Sequence, residues 1–307
     1  MDESAEPLTN TLTVRVHQTA RYTPTSFGRF LHHNRYSGLR TQDSGLLSLW
    51  RHRALIRQFT WREFRGRYLG SHLGLVWSAV TPAVMLCIYT LVFRGVLQVQ
   101  WTTLPDSSAL TFGINLFGGL LIYNLFAEVA GRSPHLLVNQ PHFVRKVVFP
   151  LEILPITTTA AALGHGLIAF VVVSVVACFW MGPPGWQVLW LPVLLLPYVA
   201  LLLGVSWLLA AVGTFWRDVA PVVTLGLHAL IFLTPVFYPL HAVPQSWRPL
   251  FRLNPLAAFV ENTRRVWLWN RPPALGMWFV TAVASIAVMF IGYFFFIRSK
   301  RAFADVV

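Results

Sequence analysis

Four arginines fall within eleven residues: Arg57, Arg62, Arg65 and Arg67. A guanidinium is a planar, permanently charged fork that can hold two oxygens of a phosphate at once. This cluster suits the gathering of a phosphate or pyrophosphate head group at a membrane surface. The same residues serve equally to orient a neighbouring span and to attract bulk anionic lipid. A second charged group, Arg132, Arg145, Lys146 and Glu152, is flanked by Pro134, Pro141 and Pro150. Taken alone, it reads as an ordinary solvent-facing loop. Arg217 and Asp218 are adjacent and fit a local ion pair at a helix cap, while Glu261 and Arg265 stand one helical turn apart. Catalytic chemistry is poorly served. Asp106, Glu128, Glu152, Asp218 and Glu261 come one at a time at the edges of apolar runs, not in the clusters that hold a metal. No Gly-Lys pair occurs, so the chain carries no P-loop and does not hydrolyse ATP by that route alone. Cys87 and Cys178 lie in apolar runs and read as small packing residues, His165 and His228 as hydrogen-bonded packing residues, and no Cys/His spacing suggests a metal.

The chain that positions these groups is apolar. Of 307 residues, 55% are hydrophobic and 11% charged, and the mean hydropathy is +0.58. A soluble domain carries about 25% charged residues, so this is an all-α integral membrane protein. The net charge of +13 then belongs to a membrane surface and not to nucleic acid. Residues 1–45 lack periodicity and a signal-peptide core and read as a cytoplasmic tail, with the first apolar span inserting uncleaved. Residues 46–70 read as an amphipathic interface helix. At 100° per residue, Trp50, Ala54, Trp61, Phe64 and Tyr68 fall within roughly 40° of one direction, with Arg57 on the same face. Residues 71–298 hold six spans of near the ~20 residues a bilayer requires: Leu73–Leu97, Leu110–Val129, Leu151–Trp180, Val188–Phe215, Val219–Tyr238 and Leu275–Ile297.

The loops set the orientation. The segment before the first span, the loop 130–150 and the tail 299–307 are basic, whereas 98–108 and 182–187 carry no Lys or Arg. Both termini are therefore expected in the cytoplasm. The segment 239–274 dissents, because it must lie outside yet contains Arg248, Arg252, Arg264, Arg265 and Arg271. Its apolar middle, Pro255 to Val260, is too short to cross, so it is expected to form an outer re-entrant hairpin lining or capping a pathway. Aromatics at span ends and in this region, among them Tyr89, Phe93, Phe117, Tyr123, Phe126, Trp207, Phe232, Phe237 and Tyr238, suit either contact with the apolar faces of sugar rings or packing against helices and lipid.

Four blocks recur together: Arg65-Gly66-Arg67-Tyr68-Leu69-Gly70-Ser71-His72-Leu73-Gly74 with Trp77 and Thr81-Pro82; Asn139-Gln140-Pro141-His142-Phe143-Val144-Arg145-Lys146 through Pro150; Phe215-Trp216-Arg217-Asp218; and Thr234-Pro235-Val236-Phe237-Tyr238-Pro239 with Asn254-Pro255-Leu256. In this order they resemble the membrane-spanning subunit of bacterial ABC-type polysaccharide exporters, the permeases for lipid-linked O-antigen, capsule or teichoic acid. The resemblance covers about residues 48–300. It implies an inner-membrane homodimer paired with two copies of a separate subunit that binds ATP and Mg. The cargo passes between the two copies, along the aromatics Tyr89, Phe93, Tyr123, Phe126, Phe232, Phe237 and Tyr238. Its lipid phosphate enters near Arg57, Arg62, Arg65 and Arg67. Docking of the ATPase falls to Arg132, Arg145, Lys146 and Glu152, with Arg217 and Asp218 as a second contact. The hairpin, with Arg248, Arg252, Glu261 and Arg265, is an outer gate. The long N-terminal tail departs from the family pattern. A permease for another cargo and a membrane-embedded glycosyl or phosphoglycosyl transferase are the competing readings; the scattered carboxylates weigh against the latter.

Overall fold

A computed structural model describes residues 50–67, 74, 76–96, 98, 108–144, 149–239 and 242–306, apart from the side chains of 250, 252 and 304. The described residues are helical, with no strand among them. In a bilayer every backbone N–H and C=O must be satisfied within the chain, so long apolar runs of this kind become helices. The elements are α1 (Arg53–Gly66), α2 (Val76–Tyr89, continuing as a π-helical stretch Thr90–Val96), α3 (Ala109–Arg132, ending in a 3-10 turn Ser133–His135), α4 (Pro141–Val144), α5 (Ile153–Met181), α6 (Leu191–Phe215, preceded by a 3-10 turn Trp186–Trp190), α7 (Val219–Leu233), α8 (Arg248–Leu253), α9 (Pro255–Trp267) and α10 (Leu275–Val306). Five stretches are long and apolar enough to cross a membrane: Val76–Val96, Ala109–His135, Ile153–Met181, Trp186–Phe215 and Leu275–Phe303.

Local chemistry sets the ends. Ser108 caps α3 by accepting from the Thr111 N–H at 3.2 Å. Gly182, at φ 89°, closes α5 in a conformation that other residues resist. The π-helical end of α2 starts at Thr90, whose hydroxyl bonds back to the Leu86 carbonyl at 2.7 Å, a side-chain bond that bends helices.

Two boundaries differ from the sequence expectation. The span expected to reach Tyr238 stops as a helix at Leu233, because Thr234 precedes Pro235 and takes an extended conformation, φ −101°, ψ 133°. The last helix does not end at Ile297 but runs to Val306, so the expected tail 299–307 is helical through that residue. Its added turns are anchored by the buried Phe303 and by Lys300, whose ammonium lies 2.7 Å from the buried Glu152 carboxylate.

α3 is the central helix, with Ile114, Leu116, Phe117 and Leu120 all buried. α6 and α10 make the closest pairing. Gly204 lies against the main chain of Val288 and Met289, and a Cβ on Gly292 would collide with the Gly204 carbonyl. Small residues let helices approach in a bilayer, where packing and not water exclusion drives association. Tyr198 of α6 donates its hydroxyl to the Ile122 carbonyl at 2.5 Å, and Tyr123 of α3 donates to Leu227 of α7. α7 starts beside the Ser133–His135 turn and accompanies α3 toward Asn115. Ten of the thirteen residues of α9 are buried, so that helix is inserted among α3, α6 and α10, not laid on the surface.

Candidate functional site

The bundle has two chemically distinct ends. At the near end lies α1. Of the face expected to be apolar, Trp50 and Trp61 are 73% and 55% exposed and Ala54 and Arg57 are exposed, whereas Phe64 turns inward. Tyr68, expected on that face, lies outside the described residues. A second apolar face, Leu55, Ile56 and Phe59, is half-buried as well. Phe64 stacks on His165 of α5 at 4.5 Å, and Phe59 meets Phe143 and Phe149 at 5.4 and 5.6 Å. Phe143 and Phe149 stack at 4.6 Å. The aromatic cluster thus ties α1 to the loop 130–150.

The four collar arginines are not equivalent. Arg57 and Arg65 face outward, the latter with its guanidinium 5.4 Å from the Trp61 ring. Arg62 lies 4.4 Å over Phe59, a cation–π contact. Arg67 pairs with Glu128 of α3. Arg132 bridges Glu63 at 2.6 Å and Glu128 at 3.6 Å, and Glu63 also accepts from the Thr158 hydroxyl at 3.0 Å. Arg67 and Arg132, assigned separate roles from sequence, therefore belong to one ionic network joining α1, α3 and α5. Glu63 was the signal missed: an acid amid arginines, two residues before Arg65.

Of the expected docking residues, Arg145 and Lys146 lie outside the described residues. Glu152 is 3% exposed; its carboxylate is held by Lys300 and its carbonyl accepts from Trp207 Nε1 at 3.1 Å. Its side chain anchors the last helix and presents no surface. Arg217 and Asp218 are exposed in the turn between α6 and α7 and form no ion pair with each other.

A cavity of about 460 Å³ opens between α2, α3 and α5. Arg67, Glu128, Asn124 and His165 line it with Trp77, Tyr89 and Phe117. Asn124 is exposed in the middle of an apolar helix, where polar groups ordinarily mark a pathway or a ligand. An apolar wall with a charged margin suits an amphiphile.

At the far end the structure gathers four expected aromatics. Tyr89 and Phe93 lie 6.4 Å apart, Phe93 stacks on Phe237 at 5.0 Å, and Phe237 lies 5.9 Å from Phe232. Tyr238 donates to the Phe232 carbonyl and meets Phe251 of α8 at 6.1 Å. Tyr123 and Phe126 are not in this group; Tyr123 is buried, and Phe126 packs against the core.

Three of the five far-end arginines that dissented from the charge rule, Arg248, Arg264 and Arg265, are bound to main-chain oxygens. Arg248 Nε donates to Val243 at 2.9 Å and Arg265 Nε to Pro272 at 3.0 Å. Arg252 has no described side chain. Arg264, another of the dissenting arginines, is fully buried and donates to the carbonyls of Asn115 (2.9 Å), Pro235 (2.6 Å) and Val236 (2.7 Å). Burial lowers its pKa to about 10, opposed by the Glu261 charge, so it stays cationic at neutral pH. Asn115 in turn accepts from Trp269 Nε1 at 2.6 Å. The signal for this site was Gly119 on α3, which leaves room for the guanidinium.

Long apolar helices with a basic near end describe an integral membrane protein. The model of the ABC-2 type transporter family matches residues 54–268, and the chain belongs to that family. It is 26% identical over 259 residues to the O-antigen export system permease protein RfbA of Myxococcus xanthus, covering 84% of this chain and 96% of that one. To the RfbA permease of Klebsiella pneumoniae it is 26% identical over 215 residues, 70% of this chain and 80% of the relative. To the polysialic acid transport protein KpsM of Escherichia coli it is 27% identical over 208 residues, 66% and 77%.

Proposed function

We propose that this chain is the membrane permease of an ABC exporter that carries a lipid-linked polysaccharide, of O-antigen or capsule type, across the bacterial inner membrane. The observation that carries the reading is the alignment with an O-antigen export permease along nearly that protein's whole length. The geometry supports it. The outward Arg57 and Arg65 offer phosphate ligands at a membrane surface. The cavity between α2, α3 and α5, with Arg67 in its lining, accepts an amphiphile. The far-end aromatics present ring faces suited to sugars.

The topology is six crossings with both termini in the cytoplasm. Five helices suffice alone, and α7 supplies the sixth. As a helix it is only about 22 Å long, at 1.5 Å per residue. With the turn 234–236 that follows it, α7 nevertheless accompanies α3 from the Ser133–His135 turn to Asn115. The near end is then cytoplasmic, and α8 and α9 form an outer hairpin inserted from the other side. Two copies of the chain enclose the path, and a separate pair of subunits binds ATP and Mg and docks on residues 130–150. Because Phe59, Phe143 and Phe149 join that loop to α1, docking also moves the arginine collar.

Depletion of the protein tests the cargo. Lipid-linked glycan accumulates on the cytoplasmic side if the reading holds. Surface glycan made normally, with no internal build-up, overturns it, and loss of glycan with no lipid-linked intermediate favours an enzyme. Replacing Arg145 and Lys146 together by Ala is expected to uncouple partner ATP hydrolysis from export, read as surface glycan per ATP consumed. Normal export in that variant removes the docking role.

A further inference from the structure

The break after α7 is gripped from both ends of α9. Asn254, the N-cap of α9, donates from Nδ2 to the Leu233 carbonyl at 3.1 Å and to the Thr234 hydroxyl at 2.9 Å. Toward the other end of the same helix, Arg264 holds the next two carbonyls, Pro235 and Val236, and ties both to Asn115 of α3. A Cβ on Gly119 would overlap the Arg264 guanidinium. Immediately beyond the gripped residues, Phe237 stacks on Phe93 at the π-helical end of α2.

We propose that Arg264 is the positioning residue of a far-end seal: its three carbonyl bonds fix the turn 234–236 so that Phe237 closes against Phe93, and the seal opens only when that grip is released. A buried guanidinium on main-chain carbonyls suits this part, since each bond is charge-assisted and directional. Lysine keeps the charge but cannot reach three carbonyls with a planar fork. The seal's purpose, holding back leakage between export cycles, rests on the transport reading above; its mechanics do not.

The test places a thiol in the gripped turn. Val236 is fully buried, so Val236→Cys in a chain carrying Cys87→Ser and Cys178→Ser reports local opening. The full-length protein is held in lipid nanodiscs, where both faces meet the reagent, and the rate of maleimide labelling is followed without ATP or cargo. Arg264→Lys is expected to raise the rate at least tenfold. Gly119→Ala, which leaves the arginine in place but crowds it, is expected to raise it in the same direction and serves if the lysine variant does not accumulate. Arg265→Lys, at a residue that bonds Pro272 instead, leaves it unchanged. Unchanged labelling in folded Arg264→Lys or Gly119→Ala protein overturns the proposal, as does an equal rise with Arg265→Lys. No cargo enters the measurement, so failure here is distinguishable from failure of the polysaccharide reading.

Discussion

Single residues in this protein act mainly by satisfying or burying charge. Glu152 is the sharpest case. Its carboxylate is buried, and the ammonium it pairs with, that of Lys300, lies 148 residues away. Removing one partner of a buried pair strands the other, at a cost of about 3 kcal/mol, while replacing both avoids the unpaired charge. Lys300→Met is therefore expected to melt well below the parent in detergent, and Lys300→Met with Glu152→Gln to recover most of the loss. A double variant no more stable than the single would show that the pair contributes little. The near-end bridges of Arg132 differ. Its side chain is 42% exposed, so each is worth about 0.2–1 kcal/mol and their part is to hold α1 in register. The Arg132–Glu128 pair has the i,i+4 spacing of a helix and could have been read from sequence, whereas Glu63–Arg132 and Glu152–Lys300, 69 and 148 residues apart, leave no local pattern. Arg264 shows the same limit: its carbonyl partners lie 28, 29 and 149 residues away.

At the scale of elements, hydropathy found the long helices, since length and apolarity are all a span requires. It failed where a helix answers to a partner and not to lipid. The periodicity of α1 picks out Trp50, Ala54 and Trp61, but the helix carries another apolar face, Leu55, Ile56 and Phe59, which the protein covers. The basic run 298–301 reads as a tail because its charges mask Ala302 and Phe303, both buried. Helix pairing shows in the glycines only once the structure assigns their neighbours. Gly292→Ala drives a methyl into the Gly204 carbonyl, and such overpacking costs about 1–3 kcal/mol. Gly276→Ala, on the same helix with nothing within 4 Å, is expected to be neutral or to gain up to about 1 kcal/mol from helix propensity. Thermal melts of the two single variants should therefore shift in opposite directions or differ plainly in size; equal shifts would remove the close-seam account.

For the whole molecule, charge and burial point the same way. The near end carries outward arginines, and at the far end Arg248, Arg264 and Arg265 donate to carbonyls. Six crossings therefore make a clear expectation. Single cysteines at Gln187 and Gln245 should label from outside intact cells, and one at Arg217 only after the inner membrane is opened. Labelling of all three from one side would sink the six-crossing arrangement. The seam between α6 and α10 bears on biogenesis as well. Gly204 waits bare, and Glu152 waits unneutralised, until the final helix has been synthesised and inserted. Every helix before α10 can thread into the membrane, but this interior cannot be completed until α10 has joined them. Synthesis that stops short leaves a groove and a lone charge open to the lipid, features by which a membrane protease could tell an unfinished chain from a whole one.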